Sequence, residues 1–190
     1  MEISVKNNYI LLHVCCAVCS AFPVIKLKNL NYTPILYFYN PNIYPKSEYF
    51  RRLKELILYS KKLNIKLIID HFQPIVWQNY IKGLESEMEK GLRCNKCFEL
   101  RLTHTYLKAA ELNIPFFSTT LTVSPHKISK NIFNTAFNIQ NKFFQTDKFN
   151  PKFVDIDFKK ENGFLETIKI AKLENFYRQN YCGCQYSIRQ

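Results

Sequence analysis

Short apolar runs recur along the chain, and the segments between them repeat their apolar residues with a helical period. Short apolar runs bounded by turn-forming residues are typical of buried β-strands. The five predicted strands are YILLHV at 9–14, PILYFY at 34–39, IKLIID at 65–70, PFFSTT at 115–120 and FVDI at 153–156.

Two predicted helices in the first half of the chain each follow a serine. Ser20 is expected to cap a helix over residues 21–30, in whose first turn Pro23 is tolerated. Ser47 is expected to cap the second helix. The side chains expected on the buried face of this second helix are Phe50, Leu53, Ile57 and Leu63.

Two more helices are predicted in the second half of the chain. One runs from about Leu92 to Leu112, and the other starts where Ser124 serves as cap and Pro125 occupies the first turn. The expected buried face of the first of these consists of Phe98, Leu102, Ala109 and Leu112.

Alternating strands and helices predict an α/β fold. Parallel strands need crossover connections, which are nearly always helices, so we expect a three-layer, Rossmann-like (HUP-like) architecture with a mostly parallel sheet and helices on both faces. The chain has 190 residues, 47% of them hydrophobic, which suits a single domain over residues 1–190 with a sizeable core. Ligands of such sheets bind beyond the carboxyl ends of the strands.

Unusual residues follow four of the five predicted strands. They are Cys15, Cys16 and Cys19 after the first strand, YNPNIYP at 39–45 after the second, Asp70 and His71 after the third, and TLTVSPHK at 120–127 after the fourth. Because parallel strands end at one edge of the sheet, these stretches are predicted to lie together, and a metal site is expected at that edge.

The seven cysteines indicate metal or redox chemistry. No run of about 20 apolar residues is present that could span a bilayer. The first residues, MEISVKNN, also lack the apolar core of a signal peptide. We therefore expect a cytoplasmic protein with no membrane partner, in a compartment that keeps thiols reduced.

The charge of the chain favours a polyanionic partner. Its 27 Lys and Arg residues outnumber its 15 Asp and Glu residues, which leaves a net charge of +12. Phosphates attract such a surface through Coulomb forces and counterion release, so a nucleic acid is the first candidate. The alternative is a lysine-rich surface that is simply solvated.

Cys94 and Cys97 are expected on one face of the first turn of the 92–112 helix, with Arg101 one turn later. Helix amides and a neighbouring arginine stabilise thiolates, and this environment suits iron and sulfide. Zinc is an open alternative, because Cys16 with Cys19 and Cys94 with Cys97 form two CxxC pairs. A zinc site would, however, leave the other three cysteines unexplained.

The YCGCQ stretch at 181–185 contains a third pair, Cys182 and Cys184. A disulfide across one residue is strained and easily reduced, as in labile or catalytic bridges, and Gly183 supplies the backbone freedom. An ordinary reduced CGC near the chain end is the alternative. Arg178 in the same segment could hold a phosphate or carboxylate.

Five motifs in this order resemble those of the cobalamin-independent epoxyqueuosine reductases, the QueH family. They are LLHVCCAVCS, FYNPNIYP, RCNKCFELRL, TTLTVSPHK and YRQNYCGCQYS, and the match runs from about residue 9 to residue 187. Val18 stands where the family usually has proline, and Tyr44 where it often has histidine.

The resemblance implies removal of the epoxide oxygen of epoxyqueuosine at the wobble position of tRNA, which leaves queuosine. It also implies that Cys15, Cys16, Cys94 and Cys97 hold a [4Fe-4S] cluster and that Cys182 and Cys184 are redox-active. An additional mononuclear iron belongs to the family picture, with Cys19 and Asp70 as candidate ligands. The tRNA and an unidentified electron donor are the expected partners.

Substrate contacts are expected from the loops at the strand ends and from the C-terminal segment, about 175–190, which is predicted to fold back over the site. The candidate substrate-binding residues are Asn40, Asn42, Ser124, His126, Lys127 and Arg178. His126 and Lys127 are expected in the first turn of a helix, whose amides can bind phosphate. His71, His126 and Tyr181 are candidate general acids.

Two other functions compete with the reductase. One is a zinc-stabilised RNA-binding module without catalysis. The other is an ATP-using tRNA thiolation enzyme, but HVCCAVCS stands where its SGGxDS-like phosphate loop would be.

Overall fold

The computed structural model describes residues 8–144 and 149–188. Its five strands form one fully parallel sheet with the order β3-β2-β1-β4-β5. The strands are β1 Tyr9–His13, β2 Thr33–Phe38, β3 Leu67–Ile69, β4 Phe116–Thr119 and β5 Lys152–Phe153. Each overlaps one of the predicted strands, so the α/β fold class is confirmed.

Six helices lie among these strands in the described ranges. They are α1 Ala17–Asn29, α2 Lys46–Lys62, α3 Pro74–Tyr80, α4 Leu92–Glu111, α5 Ser129–Phe143 and α6 Gly163–Leu173. Short 3₁₀ turns cover Thr120–Val123 and Gln185–Ser187. Helices α3 and α6 were not predicted from the sequence, and α6 packs on α1.

Strand β1 lies at the centre and supplies side chains to both cores. Ile10 and Leu12 point to the side covered by α1 and α2, whereas Leu11 points to the side covered by α4 and α5. All three side chains are fully buried. Because successive side chains of a strand point to opposite faces of the sheet, β1 packs against the helices on both sides, which gives a three-layer arrangement.

The predicted start of α1 is wrong. The helix begins at Ala17, and Cys16 is its cap, because the Cys16 thiol accepts a hydrogen bond from the Cys19 amide at 3.4 Å. Ser20 lies inside the helix and donates its hydroxyl hydrogen bond to the Ala17 carbonyl at 2.7 Å. Pro23 is also inside the helix and not in its first turn.

The predicted face of α2 is wrong in part. The helix is capped by Pro45 and not by Ser47, and Phe50 is 51% exposed. Leu53 and Leu63 pack at the margin of the core. The side chains that α2 buries are Glu48, Tyr49, Arg52, Leu56, Tyr59 and Ser60. Because two residues of this set, Glu48 and Arg52, are charged, the sequence pattern did not identify this face as buried.

Helix α4 matches its prediction, although Leu112 follows the helix end and is 41% exposed. The predicted cap at Ser124 is wrong, because α5 begins only at Ser129. Ser124 starts a turn instead: its hydroxyl accepts from the His126 amide at 3.3 Å, and its carbonyl accepts from the Lys127 amide at 3.2 Å.

Among the described residues, none of the helices has both the length and the apolar character needed to cross a bilayer.

Candidate metal and thiol site

Three cysteines lie together where β1 ends and α1 begins. The sulfur atoms of Cys15, Cys16 and Cys19 all lie within 4.8 Å of one another, and those of Cys15 and Cys16 are 3.9 Å apart. The Cys16 sulfur also accepts a hydrogen bond from the Gln179 side chain at 3.0 Å. These N-terminal thiols form a compact set of sulfur ligands.

The hydrogen bonds among the N-terminal thiols shift their pKa values in opposite directions. Hydrogen bonds from Cys16 and Cys19, with the positive charges of Lys127 and Arg52, hold the pKa of Cys15 well below its usual value. The hydrogen bond to Cys15 raises the pKa of Cys16 to about 12, and the pKa of Cys19 is raised for the same reason. Three thiolates at these distances would repel one another. A bound metal cation would offset that repulsion, and metal ligation requires deprotonated sulfur.

Cys94 lies in the first turn of α4 and Cys97 in the second, whereas the sequence pattern predicted both in the first turn. The Cys94 sulfur accepts a hydrogen bond from the Lys90 amide at 3.3 Å, but burial outweighs this contact and raises the pKa of Cys94. Arg101 is 3% exposed, and its Nε donates to the Cys97 carbonyl at 3.2 Å. The predicted arginine therefore lies beside this pair.

Cys182 and Cys184 are free thiols in the structure, as are the other five cysteines. The hydrogen bond from Cys184 holds the pKa of Cys182 well below its usual value, with help from the charge of Lys127 and from Ser187. The pKa of Cys184 is raised by the same contact and by burial. Within the pair, Cys182 is therefore the more acidic thiol and Cys184 the less acidic one.

Two adjoining cavities connect the thiol groups. The larger has a volume of about 260 Å³, and Cys15, Cys19 and Cys182 are among the residues that line it. The smaller, of about 30 Å³, is lined by all four cysteines of the CGC and α4 pairs. Cys182, which lines both cavities, thus lies between the N-terminal thiols and the α4 pair, whereas Cys184 lines only the smaller cavity. In the described ranges, the α4 sulfurs do not join the N-terminal group within 4.8 Å.

A buried arginine that the sequence analysis missed fixes the CGC segment. Arg52 is 1% exposed and donates to the carbonyls of Cys182, at 3.2 Å, and Tyr181, at 3.4 Å. Its Nε is 2.6 Å from the carboxylate of Glu48, one turn earlier on α2. The i, i+4 spacing of Glu48 and Arg52 was visible in the sequence, but only the fold shows that the pair is buried.

The backbone around Tyr44 also contacts this segment. The Tyr44 amide donates to the Gly183 carbonyl at 2.8 Å, and the Tyr181 hydroxyl donates to the Tyr44 carbonyl. The Tyr44 side chain is 51% exposed, so its contribution to these contacts comes from the main chain.

Four of the six predicted substrate residues line the larger cavity. These four are Ser124, His126, Lys127 and Arg178. Asn40 and Asn42 are each 2% exposed and line neither thiol cavity. The Asn40 amide instead donates to the Val14 carbonyl at 2.8 Å, which supports the end of β1.

Asp70 does not approach the N-terminal thiols within the 4.8 Å that groups them. Its carboxylate accepts hydrogen bonds from the Tyr37 hydroxyl and, at 2.7 Å, from the His71 amide. Neither Asp70 nor His71 lines the thiol cavities, whereas His126 lines both of them and Tyr181 lines the larger.

Replacing Gly183 by alanine is expected to destabilise the fold more than the same change at Gly83. Both glycines have positive φ, +109° and +84°, which costs an L-residue about 1–2 kcal/mol. A Cβ at Gly183 would also lie 3.0 Å from Arg52 Nη1 and 3.1 Å from Ile43, whereas one at Gly83 meets no atom within 4 Å. Urea unfolding of both variants measures the difference, and equal losses would contradict the close approach.

The chain matches a sequence model described as epoxyqueuosine reductase QueH over residues 10–190. A protein of that name from Streptococcus pyogenes serotype M1 is 37% identical over 186 residues, which cover 95% of this chain and 70% of that protein. Another from Haemophilus influenzae is 35% identical over 191 residues, with 100% and 75% covered.

Two solved structures share the fold. The U34-tRNA thiolase NcsA from Methanococcus maripaludis, solved with its [4Fe-4S] cluster, superposes with a TM-score of 0.58 at 15% identity. That superposition covers 100% of this chain and 64% of the thiolase. A predicted tRNA methyltransferase subunit from Methanocaldococcus jannaschii superposes with a TM-score of 0.53 at 14% identity, covering 84% and 74% of the two chains.

Proposed function

This chain belongs to the epoxyqueuosine reductase QueH family, and we propose that its three groups of cysteines together reduce the substrate. The enzyme is an oxidoreductase of tRNA modification that removes the epoxide oxygen of epoxyqueuosine to give queuosine. The observation that carries the assignment of the site is the placement of Cys182 between the N-terminal thiols and the α4 pair.

In this proposal, an iron–sulfur cluster of the [4Fe-4S] type is held by Cys15, Cys16, Cys94 and Cys97. The donor set fits such a cluster, because thiolates are its ligands and the positive charges of Arg52, Arg101 and Lys127 lie nearby to offset its negative charge. When bound, the cluster would supply electrons one at a time.

Cys19 is our candidate ligand for an additional mononuclear iron, because its sulfur lies with those of Cys15 and Cys16. Asp70 is a weaker candidate, since its carboxylate already accepts two hydrogen bonds at the end of β3. Zinc at the same thiols is the competing metal.

The CGC pair is suited to a two-electron role. Conversion of an epoxide to an alkene and water consumes two electrons and two protons. Oxidation of the Cys182 and Cys184 thiols to a disulfide releases two electrons and two protons, so the two half-reactions balance. Cys182 lines the larger cavity and is the more acidic thiol of the pair, so it would exchange with an external thiol or donor, because thiolates are the reactive form.

The larger cavity is our candidate site for the modified base. Ser124, Lys127 and Arg178 line it and can contact the nucleotide and its phosphate. His126 is the preferred general acid among the three candidates, because it lines both cavities beside Cys182. The physiological electron donor is unidentified.

Protein purified without oxygen is expected to contain iron and sulfide and to absorb visible light. The matched serine variants C15S, C94S, C97S and C19S separate the ligand sets. The first three should lose the cluster iron and sulfide, whereas C19S should keep them and lose only an additional iron. Iron, sulfide and zinc analysis with visible spectra provides the measurement.

Colourless protein with stoichiometric zinc would overturn the cluster. Retention of iron and sulfide in C94S and C97S, together with their loss in C19S, would instead show that the three N-terminal thiols form the ligand set.

A further inference from the structure

A shallow surface cavity of about 580 Å³ lies beside the thiol site. It is lined by four lysines, namely Lys127, Lys130, Lys159 and Lys160, which we call the lysine face. Asp157 is the one acidic residue in its lining. The lysine face is therefore strongly basic.

Two elements place these lysines at the carboxyl edge of the sheet. Lys130 lies in the first turn of α5, while Lys159 and Lys160 follow the carboxyl end of β5. The Lys159 ammonium donates to the Lys127 carbonyl at 3.1 Å and to the Ser129 hydroxyl. This contact joins the two segments into one surface.

Two nearby carboxylates already form ion pairs, one of them with Lys159 of the lysine face and the other with a lysine outside it. Asp157 lies 3.4 Å from the Lys159 ammonium, and Glu161 lies 2.7 Å from that of Lys26. Within the described part of the chain, no ion pair involves the exposed side chains of Lys130 and Lys160. Both charges are free to meet an external anion.

The lysine face is continuous with the thiol site. Lys127 lines this cavity and also both cavities that contain the cysteines. A polymer of phosphates laid along the face would therefore pass directly to the cavity beside Cys15 and Cys182.

Aromatic side chains form part of the same surface. Phe133 and Phe137 follow Lys130 at helical i+3 and i+7 spacing on α5, and both line the cavity. Their rings contact Phe153 at centroid distances of 6.0 and 5.5 Å, and Phe137 is still 37% exposed. Basic and aromatic side chains on one face suit an RNA strand, since phosphates pair with lysine and bases stack on rings.

We propose that the lysine face binds the sugar–phosphate backbone of the tRNA beside the modified nucleotide and so directs that base into the larger thiol cavity. The proposal rests on the reductase function and adds the surface that holds the RNA. Lys130 and Lys160 contribute mainly charge, and Lys127 marks the point where the strand enters the site.

The test compares the double variant K130Q/K160Q with K28Q/K66Q, which removes the same charge. Lys28 and Lys66 are also exposed, but they lie at the amino edge of the sheet, near the end of α1 and just before β3. The probe is tRNA purified from cells without epoxyqueuosine reductase, and its Kd is measured by fluorescence anisotropy at several salt concentrations.

K130Q/K160Q is expected to bind this tRNA about tenfold more weakly, because two phosphate contacts and their counterion release are lost. The slope of log Kd against log salt should fall by about 2, and the arginine variant K130R/K160R should bind as the unmodified protein does. K28Q/K66Q should change Kd by less than about twofold, since Lys28 and Lys66 lie at the opposite edge of the sheet and salt screens charges at that distance from the bound RNA.

Equal weakening in the two glutamine variants would overturn the proposal in favour of a general charge effect. Unchanged tRNA binding by K130Q/K160Q, with slower reduction by the electron donor, would overturn it in favour of a protein-docking face. If tRNA binding depends on Lys130 and Lys160 but the unmodified protein does not reduce epoxyqueuosine, the lysine face is upheld and the proposed thiol site is refuted.

Discussion

Replacing either Cys182 or Cys184 by serine is expected to stop reduction of epoxyqueuosine while iron and sulfide remain bound. Serine neither forms a disulfide nor supplies the thiolate that Cys184 and Lys127 stabilise at Cys182. Each variant should lose about 1000-fold or more in single-turnover rate, as expected when one member of a paired catalytic unit is removed. The rate is followed by mass spectrometry of nucleosides from digested tRNA.

The Q185S variant is the matched control, because Gln185 directly follows Cys184 and lines neither thiol cavity. It should retain both activity and metal. Alkylation provides an independent measurement: iodoacetamide should modify Cys182 before Cys184 in the unmodified protein, since the thiolate is the reacting form. Full activity in both C182S and C184S would exclude the redox pair.

Replacing Arg52 by methionine is expected to have the second largest effect, on both stability and activity. The change leaves the Glu48 carboxylate buried without its cation and removes the two hydrogen bonds to the backbone of the CGC segment. Breaking one half of a buried ion pair costs about 3–5 kcal/mol. Urea unfolding measures this loss, and tryptic cleavage after Arg178 should become faster because the segment is released.

Two variants of the same helix test this interpretation of Arg52. K54M removes an exposed cation two residues later and should change the free energy of unfolding by less than about 0.5 kcal/mol. The double variant E48M/R52M should recover part of the stability that R52M loses, because no unpaired carboxylate remains buried. A stable R52M protein with normal resistance to trypsin would contradict the anchoring role.

The strands were predictable because strands that are buried on both faces of a sheet consist of consecutive apolar residues, which are visible in the sequence. The run at 9–14 lies on the central strand, where Ile10, Leu11 and Leu12 are all fully buried. Helix boundaries were less predictable, because several residue types can fill a cap. Cys16 caps α1 with its thiol, whereas the serine four residues later bonds within the helix.

The sequence identified candidate site residues of a rare type, such as cysteine, but it did not identify a common residue type in an unusual position, such as a buried arginine. Cysteine clusters at 15–19, 94–97 and 182–184 were visible as spacing in the sequence. Arg52 was not, because a single arginine in an amphipathic helix normally faces water. Its burial depends on the backbone of residues 181–183, more than a hundred positions later.

The amino-acid sequence by itself determined the α/β class and marked the strand ends as the place of the unusual residues, because hydrophobic period and motif spacing are local properties. The tertiary structure alone decided which thiols lie together, which thiol of the CGC pair is the more acidic, and where the lysines gather. These features depend on contacts between distant segments: Cys182 meets the charge of Lys127, and Lys159 joins the loop after β5 to the start of α5. No local pattern records such a contact, since it exists only once the chain has folded.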